Sequence, residues 1–276
     1  MSTYRQTLAA FTAPLSDQLL RGADLLQKAI DQSAGPEVPY TPAFVAVRSK
    51  SRGYVHRYLS ILSFRVLHLL SHGECRLAQI LEASQEFTNV REGFALPFEL
   101  TLPLAISLGI PHPLDPFEHQ FWPMTVDFLC TKHDGSFLGV DFKMDKDAGR
   151  PRVREKLFLA QQALEMVGVE HKVVTASQLS DTLVQNIELL YPLHYEEPPL
   201  GRHEHEAAAA EMHRQLVPGK LTILQAAREL ATTFACAPAK LVRTALYEVA
   251  HRHWAVDLNM PLHPCRPVVF MEGGAA

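Results

Sequence analysis

The sequence predicts an α/β protein of two domains, and three observations carry that reading. Met124 to Lys143 alternates like a β-hairpin around a glycine-bearing turn. Directly after it, Val153, Leu157, Ala160, Leu164 and Val167 step 4, 3, 4, 3 along the chain, the spacing of a helix packed on a sheet. Beyond residue 175, prolines, a glycine and acidic residues form a connector that leads into short amphipathic helices. The expected domains are an N-terminal extension (1–40), an α/β domain (41–176) and a C-terminal helical domain with its connector (177–276), the boundary falling between about Thr175 and Arg202.

Composition sets the limits. With 47% of its 276 residues hydrophobic, the chain has enough apolar side chains for one or two packed cores. No run reaches the roughly 18–20 apolar residues of a membrane span, and no basic segment leads into an apolar one as in a secretory signal. Cys75, Cys130, Cys236 and Cys265 are scattered without a C-x-x-C pair, as in a reduced cytoplasmic protein. The formal charge of −4 (26 Lys+Arg, 30 Asp+Glu) reads at first as an argument against a nucleic-acid partner. Charge is uneven, however. Between Thr41 and Arg76 the basic residues are Arg48, Lys50, Arg52, Arg57, Arg65 and Arg76, with Glu74 the single acid. That window has a positive local field which the net charge hides. No G-x-x-x-x-G-K-[ST] loop is present, so the chain is not expected to bind ATP.

The elements follow in order. Residues 4–30 have helical spacing and stop at Gly35-Pro36, a helix whose role the sequence does not reveal. A second helix begins near Glu74, with Glu74, Leu77 and Leu81 on one face. A carboxylate in line with a buried stripe is costly unless a positive charge meets it. The plainer reading is a first-turn carboxylate favoured by the helix dipole. Glu82, two turns on, is a weaker candidate. Val90-Arg91-Glu92-Gly93-Phe94 reads as a short strand, and Thr101 to Leu108 as a helix stopped by Gly109 and the prolines after it. His112, between two prolines, either approaches a site or braces the turn.

The hairpin carries the chemistry. A three-residue loop His133-Asp134-Gly135, with Gly135 left-handed, sets Asp127 opposite Asp141, while a two-residue loop would set it opposite Phe142. Asp141 and Lys143 share a strand face because side chains alternate. Two close carboxylates suit a hard divalent cation, which can deprotonate a water and polarise a phosphoryl oxygen. The ammonium of Lys143 would then orient that water or neutralise the transition state. The bland alternative is a solvated cross-strand salt bridge. A helix from Pro151 to Val167 and a strand at Glu170–Thr175 come next. The resulting order is a helix with Glu, a strand, a strand with Asp, a strand with Asp-x-Lys, a helix and a strand. It is the order of a restriction-endonuclease-like mixed-sheet core.

At this point the residues resemble TnsA, the endonuclease subunit of heteromeric cut-and-paste transposases. Glu74 followed by Val90-Arg91-Glu92-Gly93-Phe94 resembles the family's Glu-helix-I-R-E-Q-F segment. Gly109-Ile110-Pro111-His112-Pro113 resembles its G-I-x-H-P turn, and Met124-Thr125-Val126-Asp127-Phe128-Leu129 its M-[ST]-x-D-F-L strand. Asp141-Phe142-Lys143 stands at its x-x-K, and Glu155-Lys156-Leu157 at its E-K-L. The resemblance implies a catalytic set of Glu74, Asp127 and Lys143. It places Mg²⁺, replaceable by Mn²⁺, on Asp127 and Asp141 with Glu74 as a further ligand or water positioner. The family's familiar member has Gln in place of Asp141. The resemblance also implies cleavage of the 5′ (non-transferred) strand at transposon ends, with a DDE transposase, TnsB, acting on the 3′ ends and an AAA+ ATPase, TnsC, regulating both. The alternatives are a non-catalytic DNA-binding protein with a degenerate nuclease domain, and a free-standing restriction or repair nuclease.

In the C-terminal part, Leu221–Phe234 and Ala239–Arg252 read as helices around a Cys236-Ala237-Pro238 turn, and Trp254–Leu258 as a strand, the outline of a winged helix. Such a domain contacts DNA, packs as a plain helical module, or docks onto TnsC and TnsB as the resemblance implies. Arg202-His203-Glu204-His205-Glu206 reads as solvated linker and not as a metal site. The apolar tail from Pro261, ending near Gly273-Gly274, reads as a partner-binding peptide.

Overall fold

The computed structural model describes residues 14–33, 40–45, 54–114 and 121–271. Tyr4, Gly35-Pro36, Arg48, Lys50, Arg52 and Gly273-Gly274, all used above, lie outside the described residues. The chain forms two compact units, Met1–Leu179 and Ser180–Ala276. Among the described residues no helix is long and apolar enough to cross a membrane.

In the first unit, helix α1 (Leu15–Ser33) precedes a two-stranded antiparallel ribbon, β1 (His56–Leu59) and β2 (Val66–Leu69). Then come α2 (His72–Ala83), β3 (Phe87–Leu96), α3 (Phe98–Leu108), β4 (Met124–Lys132), β5 (Phe137–Lys143), a single turn α4 (Asp145–Ala148), α5 (Pro151–Glu165) and β6 (Glu170–Thr175). The four long strands make one mixed sheet in the order β3-β4-β5-β6. Its first two pairings are antiparallel and the last is parallel.

The β4–β5 turn follows the odd-loop expectation. Lys132 N donates to Ser136 O at 2.8 Å, leaving His133, Asp134 and Gly135 in the loop, and Gly135 takes φ +81°. The ladder from Thr131–Phe137 to Phe128–Val140 therefore brings Asp127 across from Asp141 at its next step. β3 is longer than the expected five-residue strand. Gly93, at φ +54°, falls between the pairs Glu92–Phe128 and Phe94–Val126, opposite Asp127.

Helix α1 belongs to the core of this unit. Leu26 and Ile30 are fully buried with Phe94, Leu100, Leu129, Leu159 and Leu164, so α1, α3 and α5 share one apolar layer against the sheet. The same helix ends on a buried cation. Arg91, on β3, is 0% exposed, and its guanidinium donates to Ser33 Oγ (2.6 Å), Thr131 Oγ1 (2.7 Å) and the carbonyls of Leu129 (3.3 Å) and Ile30 (3.4 Å). Burial pushes Arg91 down to about 10. The carbonyl end of α1 is a favourable neighbour for the charge that remains.

Ser60 and the Ile61 amide (3.1 Å) both donate to the buried carboxylate of Glu82, which thereby fastens the β1–β2 turn. Arg65 is held within the fold. It pairs with buried Glu92 at 2.6 Å, donates to Val90 O and lies over the Tyr40 ring. One cation of the positive window is thus committed internally.

The second unit comprises α6 (Asp181–Leu190), a 3-10 turn (Tyr191–Tyr195), α7 (Arg202–Leu216), α8 (Ile223–Leu230) and α9 (Pro238–Ala250). Its core joins Ala208, Met212 and Leu216 of α7 with Ile223, Ala227, Leu241, Ala245 and Trp254. Three expectations change here. Arg202–Glu206 is the first turn of an ordered helix, because the alanine-rich run has high helix propensity. His205 is buried, with Nε2 2.7 Å from Glu248 Oε1. Trp254–Leu258 makes only an isolated bridge, Val256–Phe270, with a second bridge at Thr222–Pro267. The tail is not a free peptide as far as Met271, since Leu262 and Val268 are buried in the core of this unit.

Candidate active site

The site forms at the open ends of β4 and β5, beside the first turn of α2. Ser71 caps α2 by accepting from Glu74 N at 3.1 Å, and its hydroxyl donates to Glu74 Oε1 at 2.9 Å. Leu70 N donates to the other carboxylate oxygen at 2.8 Å. Glu74 is therefore fixed in the first turn, as the plainer reading of the sequence had it. It also faces the charges of Lys143 and Asp141. Close approach of α2 to β5 depends on Gly73: a Cβ there would lie 2.0 Å from the Phe142 ring.

Lys143 joins the two aspartates. Its Nζ donates to Asp127 Oδ2 at 3.0 Å and to Asp141 Oδ1 at 2.9 Å. Phe142 N also donates to Asp127 Oδ2, at 2.7 Å. His171 occupies the second oxygen of Asp141, with Nε2 at 2.8 Å from Oδ2 and its side chain only 2% exposed. An ionised Asp141 can only accept, so Nε2 carries the proton. His171 reaches Asp141 because β5 and β6 run parallel in a register that pairs Gly139 with His171.

The titration directions follow from this packing. Burial, then repulsion from Asp141 and Glu74, pushes Asp127 up to about 8 despite the lysine. Burial also opposes charge on Asp141, but its hydrogen bond from His171 and the nearby Lys143 hold it below the usual carboxylate range. Lys143 loses solvation yet is driven upward by Asp127 and Asp141, and stays protonated. Glu74 is raised, chiefly by burial. The cluster contains three carboxylates and one permanent cation. It holds charge unevenly: Asp141 is ionised, while Asp127 keeps its proton easily.

A cleft of about 320 Å³ opens on these groups and is lined by Asp127, Asp141, Lys143, Trp122 and Lys156, with an apolar wall from α5. Among the described residues no three His, Cys, Asp or Glu side chains converge as a ready metal cage. The donor set is two hard carboxylates with the lysine ammonium between them, and Glu74 stands alongside with both oxygens engaged. Hard oxygen donors, short of positive charge, fit a divalent cation.

His112 serves the fold. It is buried, with Nε2 3.0 Å from Thr101 Oγ1 and Nδ1 3.2 Å from Pro113 O. His171 is the site residue that sequence reading missed. The signal available was a histidine in the strand after Asp-x-Lys, which names a partner only once the parallel register is known.

A mixed α/β sheet with two aspartates and a lysine at adjacent strand ends, covered by helices on both sides, has the build of a nuclease-like core. No family model matches the chain. It is 31% identical over 160 residues to the Escherichia coli protein named Transposon Tn7 transposition protein TnsA. The similar stretch is 57% of this chain and 58% of the length of that curated relative, so the chain spans less than two thirds of it.

Proposed function

We propose that this chain is a Mg²⁺-dependent DNA endonuclease subunit of a transposase. It cuts the 5′ (non-transferred) strand at transposon ends, beside a DDE transposase and an AAA+ ATPase of the TnsB and TnsC kinds. The observation that supports this most is the convergence of Asp127, Asp141 and Lys143 on one cleft, with Glu74 at its edge. The similarity to a transposition protein supports the biological setting.

Asp127 and Asp141 would hold the cation, with Glu74 positioned to steer a water near it. When bound, a divalent ion supplies a deprotonated water and a polarised phosphoryl oxygen. The residues of the chain do the rest. His171 fixes one oxygen of Asp141 and so aims the other. Phe142 N fixes Asp127. Lys143 keeps its proton and offers it as a hydrogen bond to the phosphoryl oxygen or the attacking water. The apolar wall of the cleft excludes bulk water and strengthens each of these interactions.

The second unit is read as winged-helix-like, with α7, α8 and α9 and two single bridges standing for the sheet. Arg243 of α9 pairs with Glu196 on the surface of this unit.

The test is Asp127→Ala assembled with its partners on a transposon end. Cleavage of the 5′ strand should disappear while 3′ cleavage and joining persist. A variant that still cuts both strands would overturn the assignment.

A further inference from the structure

Trp122 is an unusual neighbour for a cluster of buried charges. It lines the cleft that holds Asp127, Asp141 and Lys143, and it is 37% exposed even with Phe44 stacked on it. The two rings are 5.3 Å apart and within 12° of parallel. The chain takes trouble to place this pair. Ala43 N donates to Gly93 O at 3.0 Å, and Tyr40 OH donates to Glu92 O at 2.9 Å, tying the segment that bears Phe44 to β3 opposite Asp127. Trp122 N donates to Pro113 O at 2.9 Å. An exposed aromatic plane held rigidly from both sides has no role in the core.

Lys156 stands in the same cleft, one helical turn from Val153 and Ala160 on α5. Among the described residues it makes no hydrogen bond and no ion pair. The carboxylates Asp127 and Asp141 line the same cleft, but they are paired with Lys143 and neither lies within ion-pair distance of Lys156. Loss of solvent, then Arg152 and Lys143, hold its ammonium below the ordinary lysine range. Arg152 itself is occupied by Glu155 and by Pro111 O. A cation in a cleft with no ion pair among the described residues leaves a place for an anion.

We infer that the cleft takes one unstacked nucleotide next to the scissile phosphate, its base lying on Trp122 backed by Phe44 and its phosphate held by Lys156. The inference rests on the nuclease reading of the site. Aromatic faces accept any base, so this contact serves a strand that must be held out of its stack whatever its sequence. A cavity of about 320 Å³ is at the small end of ligand pockets, suited to one nucleotide and not to a duplex. Trp122 and Lys156 are then positioning residues, and Phe44 sets the angle of the platform.

The experiment uses the full chain with Trp254→Phe, which leaves Trp122 as the single tryptophan, in Ca²⁺ to hold back cleavage. Short single-stranded oligonucleotides carrying an end label for fluorescence anisotropy are titrated, one normal and one with its bases removed. The normal strand should quench Trp122 and bind about 5- to 100-fold more tightly than the abasic one. Trp122→Ala should weaken the normal strand by the same factor and leave the abasic strand unchanged, while Trp122→Phe restores most of the binding. Lys156→Gln should weaken both strands alike and lower the salt slope by about one. Equal binding of normal and abasic strands, or independent losses from Trp122→Ala and base removal, would overturn the inference. Cleavage in Mg²⁺ is followed in parallel. A chain that shows the stacking signature yet never cuts would refute the endonuclease reading alone, whereas Trp122→Ala cutting at the wild-type rate would refute the cleft assignment alone.

Discussion

Replacing Lys143 by Met removes the one permanent positive charge from the carboxylate cluster without changing the length of the side chain much. At an effective dielectric of about 20, a unit charge 3 Å from another is worth roughly 5.5 kcal/mol, and Lys143 has two such partners at 2.9 and 3.0 Å. That gross attraction is mostly offset by the cost of burying the ions. Removing one member of a buried pair typically costs about 3–5 kcal/mol net. The lower end applies here, because Asp127 is already pushed up to about 8 and can take a proton in place of the ammonium. A loss of about 3 kcal/mol in a unit of this size should lower Tm by roughly 6–12 °C in EDTA. Divalent cation should then return much of it. At a concentration 100 times Kd the gain is about 2.7 kcal/mol. The wild type should gain less, since its ammonium competes for the same oxygens. Differential scanning calorimetry in EDTA and in Mg²⁺ or Mn²⁺ reads both effects. A Lys143→Met chain that melts at the wild-type temperature, or that gains no more from the cation than the wild type does, would refute the argument that the lysine ammonium and the cation compete for the same carboxylate oxygens.

Other outcomes follow from neighbouring contacts. His171→Leu should weaken Mn²⁺ binding by about 10- to 100-fold with little change in fold, and His171→Gln should recover part of it; isothermal titration decides, and unchanged affinity would remove His171 from the site. Arg91→Lys should destabilise the first unit almost as much as Arg91→Met, by about 2–4 kcal/mol. An ammonium cannot span the four acceptors the guanidinium reaches; a urea midpoint unchanged in either variant would contradict this. In the second unit, burial, then His251 and Arg252, lower His194 from 6.5 to about 4. The folded form resists protonation, so this stability is present above about pH 6.5 and is lost as pH falls toward 4. By linkage the loss grows steadily through that window, and solvent screening of this half-buried ring keeps it to about 1 kcal/mol at pH 5. Stability of the His194→Gln variant should be flatter across that range, and an equally steep profile would show the dependence lies elsewhere.

Much of the candidate site was legible because its determinants are local. Alternation in 137–143 assigns Asp141 and Lys143 to one face, and Gly135 sets the odd loop that opposes Asp127 to Asp141. Glu74 was placed from helical spacing, although its cap Ser71 was not singled out. What stayed hidden depends on distant pairing. His171 lies 30 residues beyond Asp141 and meets it only through a parallel register. Arg91 reads as one residue in a strand, and its meaning comes from Ser33, 58 residues earlier. In the second unit, acidic and prolyl residues suggested a solvated connector, but alanine propensity and the His205–Glu248 contact made it a helix of the core. The strand expected at Trp254–Leu258 is a single bridge, Val256–Phe270, because its pairing with a segment 14 residues on is a tertiary matter that local alternation does not report.

Helix α1 closes a sheet that does not yet exist when the helix is made. Ile30 and Arg91 are 61 residues apart. At roughly 5–20 residues per second of synthesis, α1 waits about 3–12 s for β3 to emerge, and longer for β4. During that interval Leu26 and Ile30 have no sheet to cover them. The first described piece of the chain therefore cannot dock before β3 has been made. Leu26 and Ile30 stay exposed to solvent on the nascent chain until the residues around Arg91 have been made.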